Sequence, residues 1–163
     1  MQANTYLDYE GPLKDKGEAT AKGYEKQITL LSVDWNVSRE LTSFTGTARD
    51  REASAARLGE VTITKLQDKA STYFFHEATV GKGQKAIFHV TKQGEEGLDE
   101  IMTIELTDAM ISSYSVSVQG DRPVETITIS YTEMVNSVFE YDDKNLASSN
   151  HRHGYSCVTG HKM

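Results

Sequence analysis

Apolar and polar residues alternate with period two along most of this chain, the pattern of strands that bury one face and wet the other. Ile28 to Val37 reads Ile-Thr-Leu-Leu-Ser-Val-Asp-Trp-Asn-Val, with Leu31, Val33, Trp35 and Val37 on an apolar face and Ser32, Asp34 and Asn36 on a polar one. Val61 and Ile63 alternate with Thr62 and Thr64; Ala86, Phe88 and Val90 with Lys85 and His89; Met102, Ile104 and Leu106 with Thr103 and Glu105. Tyr114, Val116 and Val118 alternate with Ser113, Ser115 and Ser117, and Ile127, Ile129 and Tyr131 with Thr126, Thr128, Ser130 and Thr132. Val135, Phe139 and Tyr141 repeat the pattern against Asn136 and Glu140, and Thr5 to Tyr9 reads as a first strand. Roughly eight short strands, punctuated by Gly11-Pro12, Gly81-Lys82-Gly83, Gly94-Glu95-Glu96-Gly97 and Gly120-Asp121-Arg122-Pro123, predict a mainly β fold, a compact antiparallel β-barrel or two-sheet sandwich.

One short helix is expected, at about Ser71 to Val80, capped by Asp68 or Ser71 and ended by Gly81 at the C′ position. Phe74, Phe75 and Ala78 are expected to face the core, and His76-Glu77 to lie on the helix surface. Two segments do not read as strands. Ser38 to Leu58 is a long extended loop rich in Thr, Ser, Ala and Arg, and loops of that length are usually functional or disordered. Asp142 to Met163 is rich in Ser, Asn, His and Gly and is expected to be a flexible tail. The expected organisation is one β domain over residues 1–141 and a C-terminal tail over 142–163.

Composition narrows the function. With 163 residues, one core is the natural solution. A net charge of −7 repels phosphate backbones and anionic membrane surfaces, so no nucleic acid and no membrane insertion are expected. The single cysteine, Cys157, forms no internal disulfide. Met1-Gln-Ala-Asn-Thr-Tyr has neither a basic nor an apolar signal region. The chain is therefore expected to fold in the cytoplasm and to leave it without a classical signal peptide.

Catalytic motifs are missing. There is no phosphate loop, dinucleotide fingerprint, nucleophile elbow or His-Glu-x-x-His helix. His151, His153, Cys157 and His161 are metal-ligating residue types, but their spacing matches no structural zinc module. Cys157 has no base fixed beside it in a flexible tail, and Glu95, Glu96, Asp99 and Glu100 read as a solvated turn. No catalytic residue, metal site or cofactor is expected. The Ser/Thr-rich strand faces have two readings: the wet side of any antiparallel sheet, or the wall of a hydrated channel in an oligomer.

The order of segments carries a resemblance. Thr5-Tyr-Leu-Asp-Tyr-Glu-Gly, Ile28-Thr-Leu-Leu-Ser-Val-Asp-Trp-Asn, Gly59-Glu-Val-Thr-Ile-Thr-Lys-Leu-Gln-Asp-Lys-Ala-Ser, Ile111-Ser-Ser-Tyr-Ser-Val-Ser, Asp121-Arg-Pro-Val-Glu-Thr-Ile-Thr-Ile-Ser-Tyr and Val138-Phe-Glu-Tyr together resemble the Hcp family, subunits of the inner tube of the type VI secretion system. The resemblance implies a structural protein and not an enzyme. It implies a homo-hexameric ring, neighbouring Hcp rings stacked into a tube, sheath proteins around it and a VgrG-like spike at its tip. Small effectors carried in the lumen are the alternative role. Arg39, Glu40, Arg49, Asp50, Arg51, Glu52 and Arg57 in the long loop mix both signs and are expected to pair with the next ring. Ser32, Asp34 and Asn36 are expected to face the lumen.

Overall fold

Among the described residues of this computed structural model (3–41, 55–95, 97–141 and 147–163), twelve strands and one α-helix follow in order. They are β1 (Ala3–Tyr9), β2 (Ile28–Leu30), β3 (Ser32–Asp34), β4 (Val37–Ser38), β5 (Arg57–Leu58), β6 (Val61–Leu66), α1 (Ser71–Val80), β7 (Gln84–Gln93), β8 (Leu98–Ser117), β9 (Val124–Ser130), β10 (Glu133–Tyr141), β11 (Ala147–Ser156) and β12 (His161–Lys162). A wide sheet runs β12-β11-β10-β8-β7-β1-β2, and a narrow sheet runs β3-β6-β9-β8. Every ladder is antiparallel. The mainly β, two-sheet class expected from the alternation is the fold observed.

Two bends turn these ladders into a sandwich. The 20-residue β8 pairs with β7 and β10 up to Ala109, then with β9 from Met110 onward. At the change of partner Asp108 takes a left-handed φ of 57°, and register shifts fall at Ile111/Ser113 and Gln84/Ala86. Such bulges sharpen local twist and let one strand serve two sheets. Gly83 lies against this bend: a Cβ there would sit 1.6 Å from Asp108 Oδ1. The other margin turns at Leu31, between β2 in the wide sheet and β3 in the narrow one.

The core lies between the inner faces. Leu7, Phe88 and Ile104 come from the wide sheet, Val61, Ile63, Ile127 and Ile129 from the narrow one, and Phe74 from α1. All are fully or almost fully buried, and each such side chain is worth about 1.5–3 kcal/mol of transfer free energy.

Several local expectations are corrected. Ile28 to Val37 is three short pieces, because the chain changes sheet at Leu31. Ile28 and Leu30 are buried, while Leu31 and Val37 are exposed. Val116 and Val118 are exposed where β8 runs past its cover, and β10 buries Met134 and Ser137. The helix has the expected bounds, but its N-cap is Ala70, with no side-chain cap. Asp68 Oδ1 instead accepts the Ala70 N–H at 2.9 Å. Gly81 ends the helix at φ −68°, so no left-handed cap requires it; a Cβ there would meet Glu77 O at 2.4 Å. Phe75 is exposed and Glu77 buried, the reverse of the expectation.

The long loop has a stem, since Val37 and Ser38 pair with Leu58 and Arg57. The C-terminal segment is not a strandless tail over its described length. β11 extends the wide sheet by pairing with β10 from Glu133↔Ser156 to Tyr141↔Ala147, and β12 folds back onto β11.

Candidate functional site

The outer face of the narrow sheet is its most uniform feature. Ser32, Thr64, Thr126 and Ser115 are cross-strand partners in one row, and Asp34, Thr62, Thr128 and Ser113 in the next. Side chains alternate across a strand, so while these point outward, Val33, Ile63, Ile127 and Tyr114 form the inner row between them. Hydroxyls link the rows: Ser32 Oγ and Thr64 Oγ1 are 2.5 Å apart, and Ser113 Oγ and Ser112 Oγ lie 2.6 and 2.7 Å from Thr128 Oγ1. Ser112 also donates to Glu60 Oε2 at 3.1 Å. The result is a broad, shallow, hydrophilic wall with one exposed carboxylate, Asp34, within its rows.

Behind this wall, at the α1 end, lies a buried charged network. Lys65 Nζ, completely buried, donates to Glu125 Oε1 at 2.5 Å, Asp68 Oδ1 at 2.8 Å and Ser71 Oγ at 3.4 Å. Tyr114 donates its hydroxyl to Glu125 Oε2 at 2.5 Å. Burial, and after it this hydrogen bond, push the Tyr114 hydroxyl well above its ordinary range. Each charge has a partner, so the network ties α1 to the sheet and leaves no free acid or base.

Of the residues expected at a site, Ser32 and Asp34 are brought together on the hydroxyl face. Asn36 is not: it sits at the root of the long loop, where its carbonyl accepts the Gly59 N–H at 2.9 Å. Arg39, Glu40 and Arg57 are exposed at or near the loop stem. Arg49, Asp50, Arg51 and Glu52 lie outside the described residues. The face is larger than the second strand alone suggested. Thr62, Thr64, Thr126, Thr128, Ser113 and Ser115 belong to it, and all were visible as the polar half of alternating strands.

Among the described residues the remaining titratable groups form no convergent cleft. His89 Nδ1 and Glu100 Oε1 are in hydrogen-bond contact on the outer face of the wide sheet. There Tyr24 stacks on Tyr6 at 5.0 Å and tilts against His89 at 5.4 Å. Burial, and next the Glu100 charge, push Tyr24 up to about 12. The acidic turn is thus less solvated than expected, since Glu100 also accepts the Tyr141 hydroxyl on its backbone carbonyl. His151 pairs with Glu140 at 3.2 Å, both exposed. Among the described residues no three His, Cys, Asp or Glu converge to hold a metal ion. Nor is any described helix long and apolar enough to cross a membrane.

Known proteins share this architecture. A solved type six secretion system protein superposes with a TM-score of 0.89 at 24% identity, covering 99% of this chain and 100% of its own. Hcp1 from Salmonella typhimurium gives 0.78 at 19% identity with both chains fully covered. A type VI secretion system effector from Yersinia pestis gives 0.72 at 20% identity, covering 93% of this chain and 98% of its own. At such identities the likeness shows the fold. No curated protein matches by sequence. Fold and face thus define a two-sheet antiparallel β-sandwich with one hydroxyl-rich outer face. The family model for the type VI secretion system effector Hcp matches residues 6–137. The chain belongs to the Hcp family, whose members are secreted structural proteins.

Proposed function

We propose that this chain is a tube subunit: copies join side by side into a closed hexameric ring, with the narrow sheet's hydroxyl face turned to the lumen. The observation that carries this reading is the narrow sheet itself, with two full rows of hydroxyls on its outer face and, among the described residues, both margins unpaired. Among the described residues β3 pairs only with β6, and β8 beyond Met110 pairs only with β9. Unpaired strand margins attract further strands unless they are covered.

The number of strands fits closure. In a cyclic ring every copy keeps the same direction about the axis. The narrow sheet has four strands of alternating direction, so its last strand, β8, meets the first strand, β3, of the next copy antiparallel. The alternation continues around the ring without a fault. The two margins differ, which makes the contact heterologous, as ring closure requires.

Rings then stack into a tube inside a sheath and behind a spike. The chain acts by geometry and not by catalysis, folding in the cytoplasm before it is secreted. Axial contact falls to the long loop and its β4–β5 stem, whose Arg39, Glu40 and Arg57 carry both signs. A wall of small hydroxyls also suits weak, reversible contact with small effectors in transit, the carrier role. Size-exclusion chromatography with light scattering tests the reading: we expect a hexamer, seen as rings in electron micrographs. A strict monomer at high concentration would overturn it.

A further inference from the structure

We propose that Leu31 of one copy seats in the apolar groove between α1 and the end of β8 of the next; the inference rests on the ring reading above and names the residues that lock the ring. Leu31 is an exposed aliphatic side chain, 58% accessible, at the corner where the chain leaves β2 for β3. Its N–H still bonds to Thr64 O at 2.7 Å, so it remains in register with the narrow sheet. It stands one position beyond Ser32, whose row is Ser32, Thr64, Thr126 and Ser115. The next row in that direction contains Lys65, Glu125 and Val116. When β3 of one copy continues the sheet past β8 of another with rows aligned, Leu31 arrives beside Val116.

At that point the receiving copy has a largely apolar groove of about 360 Å³, walled by Thr72, Phe75, Tyr114, Val116, Val118 and Pro123. Phe75, Val116 and Val118 are 62%, 47% and 67% exposed. A solvent-facing Phe and two Val on one groove form an uncovered apolar patch of the kind found at protein contacts. Glu125 forms part of the floor, but its carboxylate is already committed to Lys65 and Tyr114. The groove therefore offers an occupant apolar walls and no free charge, which suits an uncharged aliphatic side chain. Leu31 and the groove lie on opposite margins of one sheet, so neither satisfies the other within a copy.

A disulfide test reads this contact directly. In a Cys157→Ser background, Leu31→Cys and Val116→Cys are combined and the protein is mildly oxidised. The two positions in one copy are separated by three inter-strand steps, about 14 Å, beyond the roughly 7 Å Cα limit for a disulfide. Every bridge therefore joins two copies. We expect a ladder of covalent multimers on a non-reducing gel. Rings by light scattering without a ladder would overturn the Leu31 contact and leave the ring reading standing; an unmodified chain that stays monomeric would overturn both. Leu31→Asp places a charge against the groove. We expect the concentration at which rings dissociate to rise roughly tenfold or more, with monomer melting unchanged because Leu31 is exposed there. Undiminished rings would overturn the proposal.

Discussion

The two sheets treat their outer faces differently. Across the wide sheet one outer row reads Tyr6, His89, Thr103, Ser137 and Arg152. It is finished within the chain: Tyr24 stacks over Tyr6, Glu100 pairs with His89, and Arg152 reaches Ser137 and pairs with Glu105 at 2.8 Å. Tyr6 and Ser137 are buried although they face outward. Across the narrow sheet the corresponding rows carry Ser, Thr and one Asp, joined by short hydroxyl contacts with no ring or ion pair laid over them among the described residues. A face covered by its own side chains needs no partner. A face kept smooth and small is shaped for what lies outside the chain, whether water, cargo or the curve of a ring.

This contrast predicts where substitutions hurt. The largest effect is expected just behind the smooth face, at Lys65. Lys65→Met leaves Glu125 and Asp68 without their shared cation, Glu125 in a fully buried position. Removing one member of a buried ion pair costs about 3–5 kcal/mol, and urea unfolding of the chain should register that loss. Replacing Glu125 by Leu in the same chain is expected to recover part of it, because the stranded charge is then gone. A loss below about 1 kcal/mol for Lys65→Met would show that the network tolerates solvent. The narrow sheet would then be less rigid than its ladders suggest.

A smaller loss is expected on the covered face. Tyr24→Ala removes a ring stacked at 5.0 Å and nearly parallel to Tyr6. Aromatic pairs contribute about 0.5–1.5 kcal/mol beyond area burial, so a cost of about 1–2 kcal/mol in chemical unfolding is the outcome that sharpens the comparison. A change near zero would make the covering of the wide sheet ornamental and erase the difference between the two faces.

How much of this was readable in advance depends on where each strand lies. β6, β7 and β9 alternate cleanly because both sheets cover their inner sides, and Val61, Ile63, Ala86, Phe88, Ile127 and Ile129 are all buried. The C-terminal strand was illegible for the opposite reason. Along the inner row Leu7, Phe88, Ile104, Asn136 and His153, side chains change from apolar to polar once past β8, where the narrow sheet no longer lies opposite. β11 therefore pairs through its backbone while its Asn, His and Arg side chains are exposed, and no period-two signal survives. Leu31 and Phe75 misled for a related reason: each is apolar on a pattern, but one sits at a corner between sheets and the other on the solvent side of α1. The hydroxyl face was visible strand by strand. Its extent was not, because cross-strand register joins Ser32 to Thr64, Thr126 and Ser115, and alternation within a strand carries no register.

The smallest effect tests the smooth face itself. Ser115→Ala removes one hydroxyl from the row, whose hydrogen bond among the described residues is a 3.3 Å donation to Thr126 O on an exposed strand. Surface substitutions of this kind usually stay within about 0.5 kcal/mol, and thermal melting of the chain should be unchanged within that margin. The result matters because of what it isolates. If Ser115 is free of intramolecular work, any effect of its replacement on ring assembly or on passage of cargo belongs to what meets the face from outside. A loss above about 1 kcal/mol would mean that the hydroxyl rows hold the sheet together. The narrow sheet's outer face would then be finished within the chain, like its counterpart, and the distinction between the two would fail.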